Sequence, residues 1–121
     1  MTTGTQVISG VDFITVPTRD YEAARKFYGD VLGLPFAKQW GEMPAGEFET
    51  GTVTIAVMQS DAFGVEFHVD DFEAAKAELE SRGVEFVSDV IDSGVCVQAI
   101  FRDSDGNALA IHHRYAPGVP A

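Results

Sequence analysis

One hexapeptide occurs twice in this chain. Asp20-Tyr-Glu-Ala-Ala-Arg25 returns as Asp71-Phe-Glu-Ala-Ala-Lys76. Each copy follows an apolar strand-like run, and each opens a helical pattern that ends in glycine, Gly33 or Gly83, before another apolar strand. A repeat at this distance means two copies of one supersecondary unit stacked on a shared core. Alternating residues predict strands at Val7–Val16, Phe36–Trp40, Ala45–Phe48 and Thr52–Met58 in the first copy, and at Val65–Val69, Val84–Val87, Val95–Arg102 and Ala108–His113 in the second. Helical spacing predicts helices over about 20–32 and 72–82. Three strands after each single helix fit neither a helical bundle nor a doubly wound sheet. The expected fold is α+β: two βαβββ modules forming a curved mixed sheet around a cavity, with the helices outside.

Asp20 is placed to cap the first helix, and Asp70 with Glu73 has capping-box spacing for the second. The helix stripes and strand faces predict burial of Phe27, Leu32, Val53, Ile55, Phe72, Leu79, Leu109 and Ile111. The run Asp103-Ser-Asp-Gly-Asn107 reads as a turn. At this length a single domain is expected over 1–121, with module 1 about 7–59, module 2 about 64–114 and a tail 115–121. The linker Ser60–Phe63 reaches at most ~14 Å when extended, enough to step past one strand. Pairing of the modules within one chain and pairing across a dimer both remain open.

Nineteen acidic against eight basic residues give a net charge of −11. Nucleic-acid phosphates and anionic membranes would be repelled, whereas a cationic ligand would not. The single cysteine, Cys96, forms no intrachain disulfide and reads as an inert thiol in an apolar run. No run is long enough to span a membrane, and residues 1–6 lack the pattern of a signal peptide, so the cytoplasm is the expected location.

Val16-Pro-Thr-Arg-Asp20, Ala24 and Phe27-Tyr28-Gly-Asp-Val-Leu-Gly33 resemble the opening signature of the vicinal oxygen chelate superfamily of glyoxalases, bleomycin-resistance proteins and dioxygenases. Phe101-Arg-Asp-Ser-Asp-Gly-Asn107 is similar to its closing turn, with Ser104 where proline is common. The resemblance spans about residues 8–114. It implies a homodimer with pockets at or near the interface, and, in catalytic members, a divalent metal held by His, Glu or Gln. Those ligand positions fall here on Phe13, Gly64, Ala110 and Thr54 or Ala56. Phenylalanine, glycine and alanine offer no lone pair, and threonine is a poor ligand for such metals. No metal and no cofactor is therefore expected. Moving the register by one residue brings in Asp12, which alternation assigns to the opposite face.

The same alternation turns Phe13, Thr15 and Pro17, then Gly64, Glu66 and His68, then Ala108, Ala110 and His112 toward the cavity, and His113 toward the surface. With the family's topology, Glu66 and His112 are expected side by side. Such a pair is either a plain hydrogen bond, a recognition element, or the acid–base or metal-holding part of an enzyme. Trp40, in a glycine-rich stretch with Glu42, Glu47 and Glu49 around it, reads as a hairpin tip or cavity rim that offers a ring face to a planar cation. The leading expectation is metal-independent binding of a small aromatic or cationic molecule, such as an antibiotic, by Phe13, Thr15, Trp40, Glu66, His68, Ala110 and His112. The competing one is a glyoxalase- or dioxygenase-type enzyme using a shifted Glu66/His68/His112 set, with Glu66 and His112 as catalytic candidates.

Overall fold

The computed structural model describes residues 4–59 and 64–116, so the linker 60–63 and most of the tail fall outside the described residues. Module 1 contains β1 (Gly10–Pro17), α1 (Tyr21–Lys26), β2 (Phe36–Gln39), β3 (Ala45–Glu49) and β4 (Thr54–Met58). Module 2 contains β5 (Val65–His68), α2 (Phe72–Ser81), β6 (Ile91–Asp92), β7 (Cys96–Arg102) and β8 (Ala108–Arg114). All eight strands join one sheet in the order β2-β3-β4-β1-β5-β8-β7-β6. β1 is parallel to β4 and β5 to β8, and the modules meet within the chain where β1 runs antiparallel to β5. The route from β4 to β5 therefore steps past one strand, β1.

Each helix covers the convex face of its own module. Tyr21, Phe48 and Val57 form one core, with Ala24, Tyr28, Leu34 and Ile55 against it. Val69, Phe72, Ala75, Ala99, Phe101 and Ile111 form the other, with Phe67, Leu79 and Leu109 among its neighbours. Both helices are capped by the first residue of the repeated hexapeptide. The Asp20 carboxylate accepts from the Ala23 amide and that of Asp71 from the Ala74 amide, each at 3.1 Å. The cap of α2 is thus Asp71; Asp70 is exposed and accepts from His68 instead.

Three expectations are corrected. Phe27 and Leu32 are about half exposed, at 49% and 51%. After α1 the chain widens into a π-type turn, Phe27–Val31, in which the Leu32 amide donates to the Phe27 carbonyl. The extra residue rotates Tyr28 onto Phe48, 5.8 Å between ring centroids, and leaves Phe27 outside. Val53, Ile55, Leu79 and Leu109 are half-buried, not buried, and Val53 precedes β4. The strand expected at Val84–Val87 shrinks to a single bridge, Phe86 with Phe101. Beyond it the Ser88 hydroxyl accepts the Ile100 amide at 2.9 Å, replacing a strand carbonyl, and the edge strand forms later, at Ile91–Asp92.

Candidate functional site on the concave face

The register of the central strands decides which side chains meet. Phe13 pairs with Thr54 on one side and Glu66 on the other, and Glu66 pairs with Ala110. These four residues form one row across β4, β1, β5 and β8 on the face away from the helices. One pleat along, His68 pairs with His112. Glu66 and His112 are therefore diagonal, not side by side, and no hydrogen bond joins them.

Asp12 departs from the strand's alternation. Between Val11 and Phe13 the β1–β5 register shifts by one residue. In such a bulge two residues oppose one, and the extra side chain is re-aimed. Asp12 is that residue, and the bulge turns it onto the concave face instead of the opposite one. Its carboxylate accepts from Nδ1 of His112 at 2.6 Å and from Nδ1 of His68 at 3.0 Å. Nε2 of His68 donates in turn to Asp70 at 3.0 Å. Asp12 feels opposing effects: burial raises its pKa, but the hydrogen bonds from His112 and His68 outweigh it and hold the carboxyl below its usual range. The bond to Asp12 raises the His68 pKa, and the bond to Asp70 adds to this.

Glu66 has no such partner. It is fully buried, and both carboxyl oxygens lack a hydrogen bond among the described residues. Burial, reinforced by the charge of Asp12, pushes its pKa up to about 8, so the group is a neutral acid at neutral pH. An aromatic wall stands beside this row. The edge of Phe13 meets His112 at 5.2 Å and Trp40 at 6.0 Å between ring centroids. Trp40 sits at the β2–β3 hairpin, and its indole N–H donates to Glu47. Glu49 is engaged by Thr54, at 2.8 Å, and not by Trp40.

The other expected site residues have structural tasks. The Thr15 hydroxyl donates to the Gly64 carbonyl at 2.9 Å, closing the β1–β5 junction, and Ala110 is fully buried in the floor. His113 is half-buried and donates from Nδ1 to the Val69 carbonyl. Cys96 is half-buried, and burial raises its thiol pKa, which suits an unreactive group. A groove of about 500 Å³ lies elsewhere, between α2 and β6–β7, lined by Phe72, Lys76, Glu80, Val90, Val97 and Tyr115.

A divalent metal does not fit the row the superfamily pattern would use. Phe13 and Ala110 bring only hydrocarbon, Gly64 brings no side chain, and the Thr54 hydroxyl is held by Glu49. Among the described residues no three His, Cys, Asp or Glu side chains are arranged to hold a metal ion. This counts against the shifted Glu66/His68/His112 set as a metal site. The nitrogens His68 and His112 direct at Asp12 are bonded to its carboxylate.

Residues 10–68, from β1 through β5, match the family model described as Glyoxalase/Bleomycin resistance protein/Dioxygenase superfamily. No curated protein matches the chain. Among solved structures it is similar to a hypothetical protein from Bacillus halodurans, with TM-score 0.71 and 13% identity over 91% of this chain and 97% of that one. It is also similar to methylmalonyl-CoA epimerase from Mycobacterium tuberculosis, with TM-score 0.70 and 18% identity over 96% and 94%. A third is the Streptomyces coelicolor methylmalonyl-CoA epimerase in complex with 2-nitronate-propionyl-CoA, with TM-score 0.68 and 16% identity over 90% and 99%. Identities this low speak for a shared fold.

Proposed function

We propose that this chain, which belongs to the Glyoxalase/Bleomycin resistance protein/Dioxygenase superfamily, binds a small aromatic or cationic organic molecule on its concave face without using a metal. The observation that carries the reading is Glu66, fully buried with both oxygens unpartnered among the described residues. Leaving a buried polar group unsatisfied costs about 1–3 kcal/mol. A ligand that reaches it supplies the missing partner. Phe13 and Trp40 offer aromatic surface beside it, and Asp12 and Glu47 add negative charge. The epimerase complex with 2-nitronate-propionyl-CoA shows that the fold can hold an organic ligand.

Trp40 is the sole tryptophan and stands at the site, so its fluorescence reports occupancy directly. Titration with β-tetralone, a neutral aromatic ketone, and with benzamidine, a planar aromatic cation, is expected to give a saturable change and a raised melting temperature with at least one of them. Glu66→Leu is expected to weaken that binding at least about tenfold. Glu66→Gln separates the classes: it keeps hydrogen bonding to a ketone but removes the proton that Glu66 would have to give up to become the counter-ion of a cation. If neither probe moves the fluorescence or the melting temperature at millimolar concentration, the reading is wrong. In solution we read the protein as a homodimer, supported by apolar side chains exposed at both ends of the sheet. Phe36 is exposed on β2, as are Phe27, Val31 and Leu32 in and just after the turn that follows α1, and Ile91 is exposed on β6 with Val87 and Val90 before it.

A further inference from the structure

We infer that module 2 carries a second ligand site on its convex side, a groove between α2 and β6–β7 that takes an organic ammonium ion with an apolar body. The site lies on the helix side of the sheet and does not rest on the concave-face reading.

The repeat shows how the groove arises. Arg25 and Lys76 hold the same place in the two hexapeptides, and each reaches over a phenylalanine three residues beyond the helix-ending glycine. Arg25 lies over Phe36 at 4.0 Å, and Lys76 over Phe86 at 4.9 Å. Beyond that common point the copies part. In module 1 the strand β2 starts at Phe36, whereas in module 2 Phe86 makes a single bridge and no strand forms until Ile91. The space this leaves beside α2 is the groove, about 500 Å³, which lies within the range of small-molecule pockets, about 300–1,000 Å³. β6 is only two residues long, too short an edge to take up a peptide as an added strand.

Much of the lining is apolar. Phe72 and Val97 come from the module 2 core, and Val90 and Tyr115 remain 48% and 49% exposed. The charge around it is one-sided: Glu73, Glu80 and Asp92 stand against Lys76 alone. The Lys76 ammonium is bonded to Glu80 at 3.2 Å, so these two cancel, and Glu73 and Asp92 are left over. Asp92 is fixed with one oxygen to spare. Its Oδ1 accepts from the Tyr115 hydroxyl at 2.5 Å and from the Gly94 amide at 2.9 Å, and its Oδ2 has no partner among the described residues. The Tyr115 bond, with the Gly94 bond added, holds this carboxyl below its usual pKa range, so it is charged at neutral pH. An ammonium head is offered two carboxylates and the Tyr115 ring, and its apolar body Phe72, Ala77 and Val97. An anion would meet two uncompensated carboxylates on a chain of net charge −11.

Hexylammonium, hexanol and hexanoate share one apolar body and differ in the head. Calorimetry reads their affinity, and backbone amide NMR reads where they bind. Hexylammonium is expected to saturate at millimolar concentration or below and to move amides of α2 and β6–β7, with Trp40 fluorescence unchanged. Hexanol is expected to bind about threefold or more weaker, and hexanoate not measurably. Asp92→Asn and Glu73→Gln should each weaken hexylammonium about threefold and leave hexanol as it was, a split that loss of packing alone would not produce. Ala77→Trp, at an exposed helix position, fills the groove and should abolish binding of both, whereas Glu66→Leu on the concave face should abolish neither. Melting curves confirm that each variant is folded. Failure of hexylammonium to bind, equal affinity for all three heads, or binding indifferent to Ala77→Trp overturns the inference. Shifts confined to the concave face, with a change in Trp40 fluorescence, overturn it too and leave the concave-face reading standing. Val90 also belongs to the apolar edge read above as a dimer contact, so sedimentation is repeated with the probe: a halved mass gives the groove to a second copy and overturns the ligand site.

Discussion

Glu66 is held in a place where its charged form is unwelcome, and this makes fold stability depend on pH. Its folded pKa is about 8, above the ordinary glutamate value, so the folded state binds the proton more tightly than the unfolded chain. Stability is then full below the ordinary carboxylate range and falls as pH rises toward about 8, by roughly 3–5 kcal/mol in all. His68, whose pKa is also raised, adds a loss in the same direction as pH rises through its folded value, and Asp12, whose pKa is lowered, contributes stability that is lost at low pH. Glu66→Gln is expected to flatten most of the decline between about pH 5 and 8, leaving the His68 part; denaturant titrations at several pH values would read it. If the slope is unchanged, Glu66 is not the buried neutral acid. At this scale the sequence was half legible. Alternation along β5 and β8 put Glu66, His68 and His112 on the concave face correctly. It misplaced Asp12, because a bulge breaks the two-residue period and no single residue in Gly10–Pro17 announces one.

The elements show where local chemistry decides and where it yields. Both N-caps follow from the repeated hexapeptide, and reading module 2 by its likeness to module 1 selects Asp71 over Asp70. Asp71→Ala is expected to cost about 1 kcal/mol by loss of the cap. β3 carries a tighter constraint at Gly46, where an added Cβ would collide with the Tyr21 hydroxyl and come within 2.8 Å of the Phe36 ring. The Tyr21 hydroxyl donates to Gln39 at 2.7 Å, so moving it also breaks that bond. Gly46→Ala is expected to destabilise by about 1–3 kcal/mol, measured by chemical denaturation. The wider turn at Phe27–Val31 and the weakened strand at Val84–Val87 were not legible. Each depends on tertiary contacts, with Phe48 in one case and Ile100 in the other, that apolar spacing does not encode.

Over the whole molecule, the architecture was the most legible part, because two copies of a unit with one helix and several strands have few ways to share a core. The order of strands answers the question that the repeat left open: the modules join inside one chain, through β1 and β5. Analytical ultracentrifugation of the 13.0 kDa chain is expected to show twice that mass, and charged substitutions at Phe36 and Ile91 should return it to one copy. A single species at the mass of one chain would remove the dimer.

The central position of β1 has a consequence for how the chain is made. Both of its neighbours, β4 and β5, are encoded tens of residues downstream, at Thr54–Met58 and Val65–His68. A ribosome adding about 5–20 residues per second needs roughly 3–10 s to travel from β1 to the end of β5. For most of that interval the strand that will bear the aspartate and hold the halves together has neither neighbour synthesised, and β5 is the last to come. Nascent β1 is therefore the stretch where a chaperone would matter most, and where a crowded polysome would first go wrong.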